Sequence, residues 1–130
     1  MRLIPALALL IALAAPAAAK PPLSQVRAID DALMAIAIAD EIRKTCDGIN
    51  ARMIRAMSRI NSLRAEAKAL GYTNDEIDAY TSSKAEKKRM RSKAEAYLAS
   101  QGVDARDEAA LCRFGRDEIA RNTAIGSLLR

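Results

Sequence analysis

Sixteen carboxylates, two cysteines and no histidine make up most of the reactive inventory of this chain. Asp30-Asp31, Asp40-Glu41, Asp107-Glu108 and Asp117-Glu118 are adjacent acid pairs, and paired carboxylates can hydrolyse glycosides. Adjacent residues on a helix diverge by about 100°, so neither member of a pair faces the other. Their spacing therefore reads as solvated helical surface. A hydrolase working through Glu41 or Asp117 would need the fold to bring acids together. The absence of histidine removes serine triads, His-based zinc sites and His-dependent acid–base pairs. No P-loop or dinucleotide glycine motif is present. "NDEID" (74–78) lacks the glycine and ligand spacing of a calcium loop, and helix-start electrostatics explain it. The expectation is a protein that is not an enzyme, with no metal and no cofactor.

Cys46 and Cys112 admit one intramolecular pairing. Redox work normally needs a second cysteine close in sequence or a neighbour that lowers the thiol pKa, and only Arg43 and Lys44 lie near Cys46. Two cysteines without histidine make a poor zinc site. In an exported chain an even, small cysteine count reads as a structural disulfide.

Basic residues form two stripes. Arg52, Arg55 and Arg59 project within about 60° of one another on a helix. Lys84, Lys87, Lys88 and Arg91 follow i, i+3, i+4, i+7 spacing and share a face. Either stripe could meet an exported protein or an anionic surface, or could serve solubility alone. Nucleic acid is disfavoured by the export signal described below. With only Tyr72, Tyr80, Tyr97 and Phe114 available, aromatic residues are expected to anchor helix contacts. Met34, Met53, Met57 and Met90 could line an adaptable groove, but methionines more often fill a core.

The elements that position these residues read as helices throughout. Ser24 can cap a helix running to Lys44, whose stretch 32–39 contains no polar residue and must be surrounded. Asp47-Gly48 breaks it. Met53, Met57, Ile60, Leu63, Ala67 and Leu70 then form one apolar stripe, ended by Gly71, which suggests an antiparallel hairpin. Thr73–Glu76 and Ser83–Glu86 match capping boxes, and Asp104 can cap the last long helix. Ile125, Leu128 and Leu129 are expected to tie the tail to the body. The fold class is all-α: a small bundle of four to five helices stapled by Cys46–Cys112.

At the start, Arg2, the apolar run Leu3–Leu13 and Ala17-Ala18-Ala19 have the form of a cleaved export signal. Ala15-Pro16-Ala17 offers an alternative cut two residues earlier. The run is short for a membrane anchor, and no cysteine follows it for lipid attachment. Residues 20–130 would then be a single helical domain, soluble and without a transmembrane anchor, periplasmic or secreted.

The phrases "IADEIRKTC", "ARMIRAMSRINSL", "AKALGYTNDEIDAY", "AEAYLASQGVD" and "LCRFGRDEIA" resemble a family of small exported alphaproteobacterial helical proteins catalogued as a domain of unknown function. The resemblance runs from about Leu23 onward and carries the two cysteine positions. It brings no activity or binding site. The function expected first is a soluble periplasmic interaction protein that binds a protein or anionic surface partner. A periplasmic chaperone or stress protein comes second, and the carboxylate-dependent hydrolase third.

Overall fold

A computed structural model describes residues 19–130. The expected leader, 1–19, lies outside the described residues except for its last member. Five helices account for most of these described residues: α1 (Arg27–Thr45), α2 (Met53–Ala69), α3 (Asn74–Ser82), α4 (Lys84–Ser100) and α5 (Glu108–Arg121). Short 3-10 turns at Leu23–Gln25 and Gly126–Leu128 flank them. The expected all-α bundle with one staple is what forms. Among the described residues the only β pairing is an isolated bridge between Ala51 and Leu129.

α1 is central because its middle is apolar all round: none of residues 32–39 is exposed. Ile38 and Ile42 are sealed together with Leu111 of α5 and Leu129 of the tail. α2 runs back along α1, with Ala56 at the Ala39 end and Leu63 and Ala67 at the Ile29 end, which gives the expected hairpin. A second, smaller cluster sits at that far end, where Leu23, Ile29 and Leu63 pack with Tyr72 and Ile77.

Cys46 and Cys112 are bonded, with their Cα atoms 5.6 Å apart, and so clamp the end of α1 to α5. One turn further along α5, Gly115 makes the crossing possible. A Cβ there would stand 2.7 Å from Cγ2 of buried Ile42. Gly126 is tighter still, since its Cβ would fall 1.9 Å from the carbonyl oxygen of Glu118.

Helix ends follow their local chemistry with three departures. Thr73 and Glu76 form the full capping box, with reciprocal bonds of 3.1 and 2.7 Å. Gly71, at φ 94°, closes α2 as expected: Tyr72 N–H donates to Ala67 and Gly71 N–H to Lys68. Ser24, however, does not cap α1. It lies in the 3-10 turn that lets Leu23 reach the smaller core cluster, and Val26 precedes α1 without a side-chain cap. Asp104 instead fixes a turn by accepting from Arg106 N–H, because Val103 must first enter the core; Asp107 caps α5 through Ala110 N–H at 3.1 Å. At Ser83 only half a box forms, since Ser83 Oγ accepts from Glu86 N–H while the Glu86 carboxylate turns to Arg89.

Both flanking segments are tied down. Asn50 and Arg130 exchange backbone bonds of 2.8 Å in each direction, and Arg52 N–H donates to Leu128 O. At the opposite end of α2, Lys20 Nζ donates to Gly71 O at 2.7 Å, pairs with Glu76 at 2.9 Å and lies over the Tyr72 ring.

Candidate functional site

Only two of the six residues of the apolar stripe expected on α2 are used by the core, and Leu70 at its end is exposed. Leu63 and Ala67 are buried, whereas Met53 is 56% exposed, Met57 50% and Ile60 38%. Ile54, beside the stripe, is 90% exposed. These four residues sit on the first two turns of α2 and make a continuous apolar surface, because i, i+4 and i+7 positions stack along a helix. Met34 packs against the core and Met90 is buried, so the methionines divide between filling and display.

Next to this surface, α1 leaves a strip uncovered. A groove of about 300 Å³ lies between α1 and α2. Leu33, Ile36 and Ala37 form its α1 wall, Met53, Met57 and Ile60 its α2 wall, and Leu128 and Leu129 contribute from the tail. Asp40 and Arg43 stand at its edge and are paired with each other at 2.7 Å. Burial pushes the Asp40 carboxyl up, but its bonds from Lys44 and Arg43 outweigh that and hold it below the usual value. Leu33 and Ala37 also border a second, more polar groove between α1 and α4, which Lys87, Arg91, Glu41 and Glu95 line. One ridge of α1 is thus shared by two clefts.

The basic stripes fare differently. Arg52 Nε donates to the Leu129 carbonyl at 2.9 Å and Arg55 Nη1 to the Ser127 carbonyl at 3.2 Å, while Arg59 pairs with Glu66 at 3.1 Å. Arg52 and Arg55 therefore hold the tail with their charges uncancelled, and Arg59 is compensated. A second depression, about 630 Å³, opens at the start of α2, where Arg52, Arg55 and Arg130 surround Met53, Ile54 and Ser58. Arg130 joins this group only through the fold, as the tail returns to Asn50, and nothing in local spacing signals it. Lys84, Lys87, Lys88 and Arg91 are all exposed on α4, without an ion pair among the described residues.

The acid pairs need two corrections, at Asp30 and at Glu118. Asp30 is not a solvated carboxylate: it is 1% exposed and receives Arg89 at 2.5 and 3.1 Å, Lys93 at 2.6 Å and the Tyr80 hydroxyl. Lys93 also bonds Asp31 at 2.5 Å, so this cluster fastens the start of α1 to α3 and α4. Burial alone would raise the Asp30 pKa, but the bonds from Arg89, Lys93 and Tyr80 prevail and bring it to about 2. Tyr80 is pushed the other way by burial and by its bond to Asp30, so its hydroxyl stays protonated. Arg89 is held in its charged form mainly by Asp30. With every partner engaged, the cluster is a clamp. Glu118 is likewise buried, and accepts from Arg121 at 2.9 Å and from the Thr123 hydroxyl beside the Gly126 contact.

Among the described residues no group of three or more metal-ligating side chains converges, and no helix is long and apolar enough to cross a membrane. No curated protein and no solved structure matches this chain. Residues 21–130 match the model of the Family of unknown function (DUF5333), and the chain belongs to that family.

Proposed function

We propose that this is an exported interaction protein of the periplasm, without chemistry of its own, which docks a protein partner on the apolar surface shared by α1 and α2. One observation carries the reading: Met53, Ile54, Met57 and Ile60 stand exposed beside an open groove, on a helix that has apolar residues to spare. Isolated exposed apolar side chains are ordinary, but a contiguous set beside a concave apolar wall is the form of a helix-in-groove site. Methionine suits such a surface because its unbranched chain adapts to what it meets. Export is supported by the signal-like sequence at 1–19 and by the Cys46–Cys112 bond, which persists in oxidising compartments. Binding without catalysis is favoured by two of the acids at the grooves being engaged, Asp40 by Arg43 and Lys44 and Glu86 by Arg89, although Glu41 and Glu95 of the α1–α4 groove have no ion pair among the described residues.

A photo-crosslinking residue placed at Ile54, with a second placed at Lys88 as a control face, tests the reading in periplasm-expressing cells. The expected result is one stoichiometric protein captured at position 54 and not at 88. Capture at 88 alone transfers the site to the basic face of α4. A broad set of unfolded exported proteins captured at 54 replaces the dedicated partner by a chaperone role, to which the two exposed methionines lend themselves.

A further inference from the structure

The start of α2 combines two chemistries in one place. Met53 and Ile54 border the depression that Arg52, Arg55 and Arg130 line, and Met53 also lines the α1–α2 groove. Arg52 and Arg55 are fixed in position by the Leu129 and Ser127 carbonyls, which orient a guanidinium without cancelling its charge. No Asp or Glu side chain lies within ion-pair distance of these three arginines among the described residues, whereas nine other basic side chains there do have one. The first turn of α2 adds to the field, since it contains no acidic residue and has no side-chain cap.

We propose that the occupant of this surface is an acidic amphipathic helix of a partner protein. Its apolar stripe covers Met53, Ile54 and Met57 and reaches into the groove against Leu33 and Ala37, while carboxylates at one end of it meet Arg52, Arg55 and Arg130. The inference rests on the protein-docking reading above and adds the chemistry of the partner. Charge complementarity selects acidic over basic segments, and the groove selects a helix over a bilayer: side chains can enter a cleft walled by two helices, whereas a lipid surface meets only its rim. From Met53 to Ile60 the surface runs about 10 Å, so a partner helix of three or four turns covers it.

Three synthetic peptides of about 18 residues test this by fluorescence anisotropy on the mature protein. All carry one leucine stripe at helical spacing, and their polar positions near one end are Glu, Gln or Lys. The expected order of affinity is Glu, then Gln, then Lys, with about tenfold between the first two at low salt. That gap should close as salt is raised, because exposed ion pairs are screened. R130Q should narrow the gap without disturbing the fold, since only the backbone of Arg130 is bonded to Asn50. R55Q is the second variant, and M53S/M57S should abolish binding of all three peptides. Equal binding of the Glu and Gln peptides, lost in M53S/M57S, overturns the acidic assignment and leaves the docking reading intact. Binding of phosphatidylglycerol vesicles in preference to every peptide overturns the helix in favour of a membrane surface. If no peptide binds, the acidic helix is wrong, and the crosslink at Ile54 decides the docking reading separately.

Discussion

Replacing Asp30 by Asn puts the buried clamp to a quantitative test. The amide keeps the volume and can still meet Tyr80, but the charge that receives Arg89 and Lys93 is gone. Removing one member of a buried ion pair destabilises by about 3–5 kcal/mol, chiefly through the cation left behind. Here each cation keeps a second, more exposed carboxylate, Glu86 for Arg89 and Asp31 for Lys93, so the lower end of about 3 kcal/mol is expected at pH 7. The clamp also predicts a pH dependence. Asp30 is lowered from 3.8 to about 2, so its ionised form stabilises the fold fully above pH 4 and loses that contribution as pH falls through 2. A shift of that size corresponds to about 2 kcal/mol. Urea denaturation followed by far-UV circular dichroism, at pH 7, 5, 4, 3 and 2, measures both quantities. Wild type should lose about 2 kcal/mol more than D30N between pH 4 and pH 2. Parallel losses in the two proteins, or a D30N cost at pH 7 below about 1 kcal/mol, would show that Asp30 is not the charged centre of the clamp.

The remaining expectations concern the staple, the tail and the displayed surface. C46S/C112S should lower stability by up to about 4 kcal/mol in the chain-entropy picture for a 66-residue separation, read from the denaturation midpoint of oxidised wild type against the variant. Gly126→Ala should displace the tail, because its Cβ would overlap the Glu118 carbonyl; a loss above about 3 kcal/mol and faster hydrogen exchange at Arg130 N–H are expected. Met57→Ser should change stability by less than about 1 kcal/mol, since half of the side chain is already in water, and thermal melts within a few degrees of wild type would bear this out. A large loss at Met57 would mean that the groove is closed in solution.

Helix boundaries were largely readable because their signals are local. Gly71 and Gly102 sit at positive φ where helices stop, and Thr73 with Glu76 closes its own box. Asp104 misled because it has the right residue type three positions early; what moved the start of α5 was Val103, whose burial depends on distant packing. The disulfide was legible from the cysteine number and the signal-like start of the sequence. The candidate site was not. A stripe at helical spacing on α2 looks the same whether a neighbour covers it or water does, and here Leu63 is covered while Met57 is not. The one available cue was Ile54, an apolar residue off the stripe that a helix buried on a single face has no use for. Arg130 reached Arg52 through the return of the tail, and Asp30 became buried through Arg89 and Lys93 some sixty positions away.

α2 seals only Leu63 and Ala67 into the body, yet it is gripped at both of its ends by remote parts of the chain: Leu128–Arg130 at its start, Lys20 and Leu23 beyond its finish. In mechanical terms it is a beam resting on two supports, with little fastening along the span. A load applied at Met53–Ile60 is then carried into the supports, and the stiffness felt by anything resting on the beam is set largely by what holds its two ends. Loosening the support at Arg130 would let the near end swing outward about the Leu63–Ala67 seat, whereas loosening the one at Lys20 would leave that end in place. A fusion joined at Arg130 alters the first support and one joined ahead of Lys20 alters the second, so the two constructions sample different compliances of the same surface.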